Sequence, residues 1–141
     1  MKAIKIIGHP VTTICLFLVI LITGQSIGGV YLFYLILALP HGLVHSILAI
    51  SGIVLLLVSF SKITNGRSSV KQYMNIAGIL LLVLSLFSFF YNDKEHYNFG
   101  SFNSSAFWIT SGLFVISALC FLILTFINFK REDNPSQVKL V

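Results

Sequence analysis

Four histidines are the only side chains in or near the apolar segments of this chain that titrate near neutrality. His41 and His45 are spaced i, i+4, so on a helix they would share one face and could bind a metal ion together with ligands from elsewhere. Asp93, Glu95 and His96 follow in a short polar segment that offers such ligands. These residue types also solvate ordinary loops, so a zinc or copper site is one of two interpretations of the group.

The depth of the histidine pair in a membrane would determine its chemistry. At the outer end of a helix the pair would be accessible to water and able to hold a metal. Near mid-membrane it would instead hydrogen-bond between helices or relay protons. A haem needs axial ligands from opposite sides of its ring, which one helical face does not supply, so His9 or His96 would have to take part. Nothing in the pattern selects haem, and we assign no cofactor.

Other groups with catalytic potential are sparse. Cys15 and Cys120 lie in apolar segments and form no C-x-x-C pair, so we expect them to pack as small hydrophobic residues. No G-x-S-x-G element is present, and no acidic residue lies in an apolar segment to orient a histidine. The sequence therefore favours a protein without enzymatic activity.

The elements that must position these residues are membrane helices. Residues 6–61 contain no Asp, Glu, Lys or Arg, and the whole chain is 57% hydrophobic and only 9% charged. A membrane span needs about 20 apolar residues, so this stretch is long enough for two spans. Charge-poor segments at 72–92 and about 103–129 add two more. The sequence thus predicts an all-α polytopic membrane protein, a four-helix transmembrane bundle.

The basic residues set the orientation of that bundle. With four spans, eight of the nine Lys and Arg residues fall on one side, and only Lys94 falls on the other. The positive-inside rule then places both termini in the cytoplasm. An isoelectric point of 9.4 reflects anchoring at an anionic leaflet rather than nucleic-acid binding. We expect a multi-pass protein of a bacterial cytoplasmic (inner) membrane.

The first apolar block can turn at two places. A turn at residues 24–29 would leave a second helix over about 30–60, which at 1.5 Å per residue overshoots a hydrocarbon core of about 30 Å. We prefer a turn at residues 39–42, which places Tyr31 and Tyr34 at the outer interface as aromatic anchors. One transmembrane domain then covers 1–130, followed by a short disordered tail at 131–141. Its predicted helices lie at about 11–38, 43–60, 72–91 and 105–129.

Small and weakly polar residues recur at helical spacing within these segments. Because lipid tails are as apolar as Leu, membrane helices associate through close backbone approach and interhelical hydrogen bonds. A polar path through the bundle would normally carry Asp, Glu, Lys or Arg at membrane depth, and no predicted span contains one. We therefore predict that the small residues pack helices: Gly24, Gly28, Gly42, Ser46, Ala49, Gly52, Asn75, Gly78, Ser85, Ser111 and Gly112.

A small bundle with short loops and no catalytic motif is typical of a protein that acts by binding other proteins. We expect a subunit, assembly factor or immunity-type partner of a membrane complex. Its partners would be the lipid bilayer and either another membrane protein or further copies of the chain, with no nucleic acid. An oligomeric channel or transporter for small solutes is the alternative, and a metal- or haem-binding redox protein is the third hypothesis.

Overall fold

A computed structural model describes residues 2–24, 28–61, 68–92 and 97–133. Most of the chain is helical, with one short antiparallel pair of strands, β1 (Leu21–Thr23) and β2 (Gly28–Val30). Within the described residues, 3-10 helices lie at Leu39–His41 and Phe99–Asn103. The α-helices are α1 (Lys2–Ile7), α2 (Pro10–Leu18), α3 (Tyr31–Ala38), α4 (Val44–Phe60), α5 (Ser68–Tyr91) and α6 (Ser105–Asp133).

Two of these helices are long and apolar enough to cross a membrane. They cover Ser69–Tyr91 in α5 and Ser105–Asn128 in α6, with mean hydropathies of 2.1 and 2.3. Helices α3 and α4 pass the same test only as a pair, and they are bent by 112° where they meet. Among the described residues there are thus two candidate spans, or three if the bent pair forms one. Their length and composition indicate a membrane-associated protein.

The single helix predicted over residues 11–38 is wrong. Helix α2 ends at Leu18, and the chain continues through β1, reverses direction, and returns through β2 into the short helix α3. The local sequence explains the break: Val19, Ile20 and Ile22 are β-branched, and glycines at 24, 28 and 29 each cost a helix about 1 kcal/mol relative to Ala. The prediction of an all-α chain holds for most of the protein but fails over these residues.

Both candidate turns in the first block are present. One reversal lies between Thr23 and Gly28, which are paired across the two strands. The other lies at Gly42, whose φ of 61° is left-handed and favours glycine, and it separates the 3-10 helix from α4. The two candidate turns are therefore not alternatives, because the chain contains both. The tail predicted over 131–141 is helical as far as Asp133, and residues 134–141 lie outside the described part.

The core lies between the helices and includes the strand pair. Its fully buried residues come from the first block as well as from α4, α5 and α6, whereas the outer surface is covered with exposed Leu, Ile, Val and Phe. An apolar surface of this extent is suited to lipid rather than to water. Core residues that are fully shielded are Phe17, Ile20, Ile22, Tyr31, Leu56 and Leu82.

Candidate functional site

Helices α4 and α5 meet through a pair of glycines. A Cβ placed on Gly52 would lie 2.9 Å from the carbonyl oxygen of Gly78, and one placed on Gly78 would lie 2.8 Å from the Leu56 side chain. Neither position has room for a larger residue unless the helices separate. Ser46 and Ala49, which precede Gly52 on the same helix, are fully buried. The structure therefore brings together Gly52 and Gly78, two of the residues for which the sequence predicts helix packing.

Four glycines of that predicted set lie outside the close helix contacts of the described residues. Gly24 follows β1 and Gly28 begins β2, so neither lies on a helix as expected. Gly42 forms the left-handed turn, and a Cβ placed there would meet nothing within 4 Å. A Cβ placed on Gly112, in the first third of α6, would also meet no atom of the described residues within 4 Å. The hydroxyl of Ser111, its neighbour, donates to the Phe107 carbonyl of the same helix at 2.6 Å.

A buried cluster of Tyr31, His45 and Ser85 joins the first block to α4 and α5. The Ser85 hydroxyl donates to the His45 carbonyl at 2.6 Å, and the Tyr31 hydroxyl lies 2.9 Å from the Ser85 hydroxyl. Because the single hydroxyl hydrogen of Ser85 serves His45, Tyr31 acts as the donor to Ser85. The Phe89 ring packs edge-on against both Tyr31 and His45. This cluster fixes α3 against the bundle.

The histidine pair does not share a helical face. His41 is exposed and ends the 3-10 helix, whereas His45 is 5% exposed and lies in α4, beyond the turn at Gly42. The His45 imidazole hydrogen-bonds the backbone of Tyr34, and its Nε2 atom is buried without a partner among the described residues. The i, i+4 geometry predicted for metal binding is therefore wrong.

The other proposed metal ligands, Asp93, Glu95 and His96, lie outside the described residues. Within the described part of the chain, no group of three or more His, Cys, Asp or Glu side chains could hold a metal ion.

Two backbone amides of the non-helical segment after α2 donate to hydroxyls near and within α6. The Leu21 amide donates to the Thr110 hydroxyl at 3.1 Å, and the Thr23 amide donates to the Ser101 hydroxyl at 3.0 Å. The Tyr31 amide donates to the Ile20 carbonyl at 2.8 Å. Non-helical backbone at membrane depth is tolerated only where protein or a water-filled cavity surrounds it. These side chains allow the chain to leave the helix inside the bundle.

A similar contact ties the start of the chain to the middle of α6. The Ser117 hydroxyl donates to the Ile7 carbonyl at 2.6 Å and lies 2.9 Å from the Thr13 hydroxyl. A Cβ on Gly8 would lie 2.9 Å from the Cys120 backbone, so the link between α1 and α2 lies directly on α6. The segment from Gly8 to Thr23 thus runs beside the first two thirds of α6 in the opposite direction.

A cleft of about 520 Å³ opens at the end of the bundle where α1, the end of α4, the start of α5 and the end of α6 meet. At its wall the Ser59 hydroxyl donates to the Asn75 side-chain oxygen, and the Asn75 amide donates to the Thr125 hydroxyl at 3.1 Å. Asn75 therefore joins three helices. The lining residues are Lys5, Gly8, Pro10, Ser59, Phe60, Lys71, Gln72, Asn75, Phe121, Leu124, Thr125 and Asn128.

Sequence reasoning missed most of the hydroxyl partners. Tyr31 was assigned to the outer interface, but it is fully buried in the core. Thr110 and Ser117 are seven residues apart and so lie on one face of α6, which is a signal that could have identified this helix as the partner of the first block.

No family model, curated protein or solved structure matches this chain, so its function has to be inferred from its own geometry.

Proposed function

We propose that this chain is a multi-pass protein of a bacterial cytoplasmic membrane that binds another membrane protein as a subunit, assembly factor or immunity-type partner. It would cross the membrane four times with both termini in the cytoplasm. The distribution of Lys and Arg supports this orientation, because eight of nine lie on one side in a four-span chain.

The fourth crossing would be made by the segment from Gly8 to Thr23, although it is only partly helical. Gly8 lies on Cys120, and the Thr23 amide bonds Ser101 just before the other end of α6. The part of α6 between those contacts, from residue 105 to residue 120, is about 23 Å long at 1.5 Å per residue, which covers most of a hydrocarbon core about 30 Å thick. A segment that follows it throughout would cross the same distance.

The observation that carries the binding function is the open space at Gly112. The two glycines buried between α4 and α5 are each in tight contact with the neighbouring helix, whereas no atom of the described residues lies within 4 Å of a Cβ placed in the notch at Gly112. Its neighbours on the same face of α6, Trp108, Val115 and Leu119, are exposed. A glycine in a helix interior costs about 1 kcal/mol relative to Ala, and close approach of another helix is the usual compensation in membranes. We infer that a partner helix packs into this notch.

Co-purification from the native membrane in mild detergent tests this function. We expect an associated membrane protein with the unchanged chain and its loss with Gly112→Leu, which fills the notch. Val54→Leu is the matched control, because Val54 is exposed on α4 and the change enlarges the lipid-facing surface elsewhere. A monodisperse monomer without associated protein, or association that survives Gly112→Leu, would contradict the proposal.

The alternative function, a path for small solutes through an oligomer, is favoured by the non-helical backbone after α2. Broken helices form the binding sites of many transporters. Here, however, hydroxyls of this chain already satisfy the Leu21 and Thr23 amides, so the break does not require a bound solute. Purified protein reconstituted in liposomes distinguishes the two functions, since only the alternative predicts flux of ions or small solutes above that of protein-free liposomes.

A further inference from the structure

The cleft at the end of the bundle has an unusual charge composition for this chain. Lys5 and Lys71 line it together with the amide side chains of Gln72, Asn75 and Asn128. No acidic residue is among the described residues that line it. Cationic and amide groups all donate hydrogen bonds, so the cleft is suited to an anion.

One wall of the same cleft is apolar. Phe60, Phe121 and Leu124 line it, and Pro10 adds to this surface. A free inorganic anion gains nothing from such a wall, whereas an amphiphile with an anionic head and hydrocarbon chains matches both parts. Basic pockets between transmembrane helices on the cytoplasmic side are known to bind anionic lipid headgroups.

The cleft is also held in shape before any ligand arrives. Asn75 is fixed by its bonds to Ser59 and Thr125, which are on the two neighbouring helices. The tight contact of Gly8 with Cys120 keeps the N-terminal segment, and with it Lys5, beside α6. A preformed site loses less conformational entropy on binding than one that must be assembled.

We propose that this cleft binds the phosphoryl headgroup of an anionic phospholipid, with Lys5 and Lys71 contacting the phosphate and the apolar wall contacting the acyl chains. The site lies at the end of the bundle where Lys5 and Lys71 line the cleft, whereas the notch at Gly112 is in the first third of α6. Lipid binding therefore does not depend on whether a partner protein packs at Gly112.

Native mass spectrometry of the delipidated full chain in detergent, titrated with phosphatidylglycerol or phosphatidylcholine, tests the proposal. We expect tighter binding of phosphatidylglycerol and about 25-fold weaker binding with Lys5→Gln plus Lys71→Gln, from about fivefold per lysine. Lys94→Gln, compared with each single lysine substitution, is the control for a general loss of one positive charge, because Lys94 belongs to the sequence between α5 and α6. It should leave the affinity unchanged.

Gln72→Glu gives a second variant that keeps the size of the side chain and adds a negative charge at the cleft. It should weaken phosphatidylglycerol binding and leave the thermal unfolding of the protein unchanged. Calorimetric titration with inorganic phosphate distinguishes the source of the anion: binding of phosphate alone, with the same dependence on Lys5 and Lys71, supports the site but assigns it to a soluble phosphate. Equal binding of the two lipids, equal loss with Lys94→Gln, or no binding of lipid or phosphate would overturn the proposal.

Discussion

The hydroxyl oxygens of Tyr31 and Ser85 lie 2.9 Å apart in the buried centre of the protein. This bond connects the first residue of α3 to the middle of α5, across a distance of 54 residues in sequence. Since the Ser85 hydroxyl in turn donates to the His45 carbonyl, one serine holds two other segments together. The position of the non-helical part of the chain depends on such side-chain bonds more than on packing of regular helices.

Tyr31→Phe removes the hydroxyl and leaves the ring in place. We expect the free energy of unfolding to fall by about 0.6 kcal/mol, the average for a side-chain hydrogen bond between membrane helices. The shift of the unfolding midpoint in a mixed-micelle SDS titration measures it. Tyr73→Phe is the control, because Tyr73 is 71% exposed and its change should stay within about 0.5 kcal/mol. Equal effects of the two variants would show that the buried bond contributes nothing.

Gly52→Ala should destabilise the protein because the new methyl group would lie 2.9 Å from the Gly78 carbonyl oxygen. Overpacking of this kind typically costs about 1 to 3 kcal/mol. Gly112→Ala is the matched control, since it makes the same chemical change in a helix where nothing lies within 4 Å. It should not lower the unfolding midpoint measured by the same titration. A stable Gly52→Ala variant would mean that α4 and α5 are not in close contact.

The sequence was sufficient to predict a mostly helical membrane protein, because long apolar segments without charge have few other structures available. It was not sufficient for residues 19–30. The intrinsic preferences of these residues favour a break in the helix. In an apolar environment the break also requires partners for the exposed amides, and the hydroxyls of Thr110 and Ser101 supply them. Those partners are about 80 to 90 residues away in the chain, and local patterns carry no information about such pairings.

The metal-binding geometry predicted for His41 and His45 is wrong for a related reason. The i, i+4 spacing of the two histidines places them on one helical face only if both lie on one continuous helix. Gly42 takes a left-handed conformation between them, so His41 and His45 belong to different elements. Pro40 and Gly42 are turn signals on either side of His41, and such signals predict a break in the helix between the two histidines.

Thr110→Val tests the hydroxyl support of the non-helical segment. Valine has the shape of threonine but cannot accept the hydrogen bond from the Leu21 amide, and an unsatisfied buried amide costs about 1 to 3 kcal/mol. We expect a loss of stability in that range and faster hydrogen exchange at Leu21. Ser111→Ala is the control, because its hydroxyl donates only to carbonyls of its own helix. Unchanged exchange at Leu21 would contradict the role assigned to Thr110.

The orientation of the chain can be tested with single cysteines in a Cys15→Ser, Cys120→Ser background. Cysteine at Ser68, at the start of α5, should be protected from an impermeant thiol reagent in intact cells and labelled after the membrane is opened. Cysteine at Asn98, just before the second 3-10 helix, should be labelled in intact cells. These expectations follow from the positive-inside rule applied to four crossings. The reverse labelling pattern would invert the orientation.

Alanine substitutions at His41 and His45 should differ in their effect on stability. His41 is exposed at the end of the 3-10 helix, so His41→Ala should change the free energy of unfolding by no more than about 0.5 kcal/mol. His45 is buried against Phe89 and hydrogen-bonds the Tyr34 backbone, so His45→Ala should cost about 2 kcal/mol. The same SDS titration measures both changes in stability. Cysteine at position 41 should react with the impermeant reagent from outside. If instead both variants fail to fold and that cysteine cannot be labelled from either side, the turn at Gly42 lies at mid-membrane and the solute-transport hypothesis gains over the subunit one.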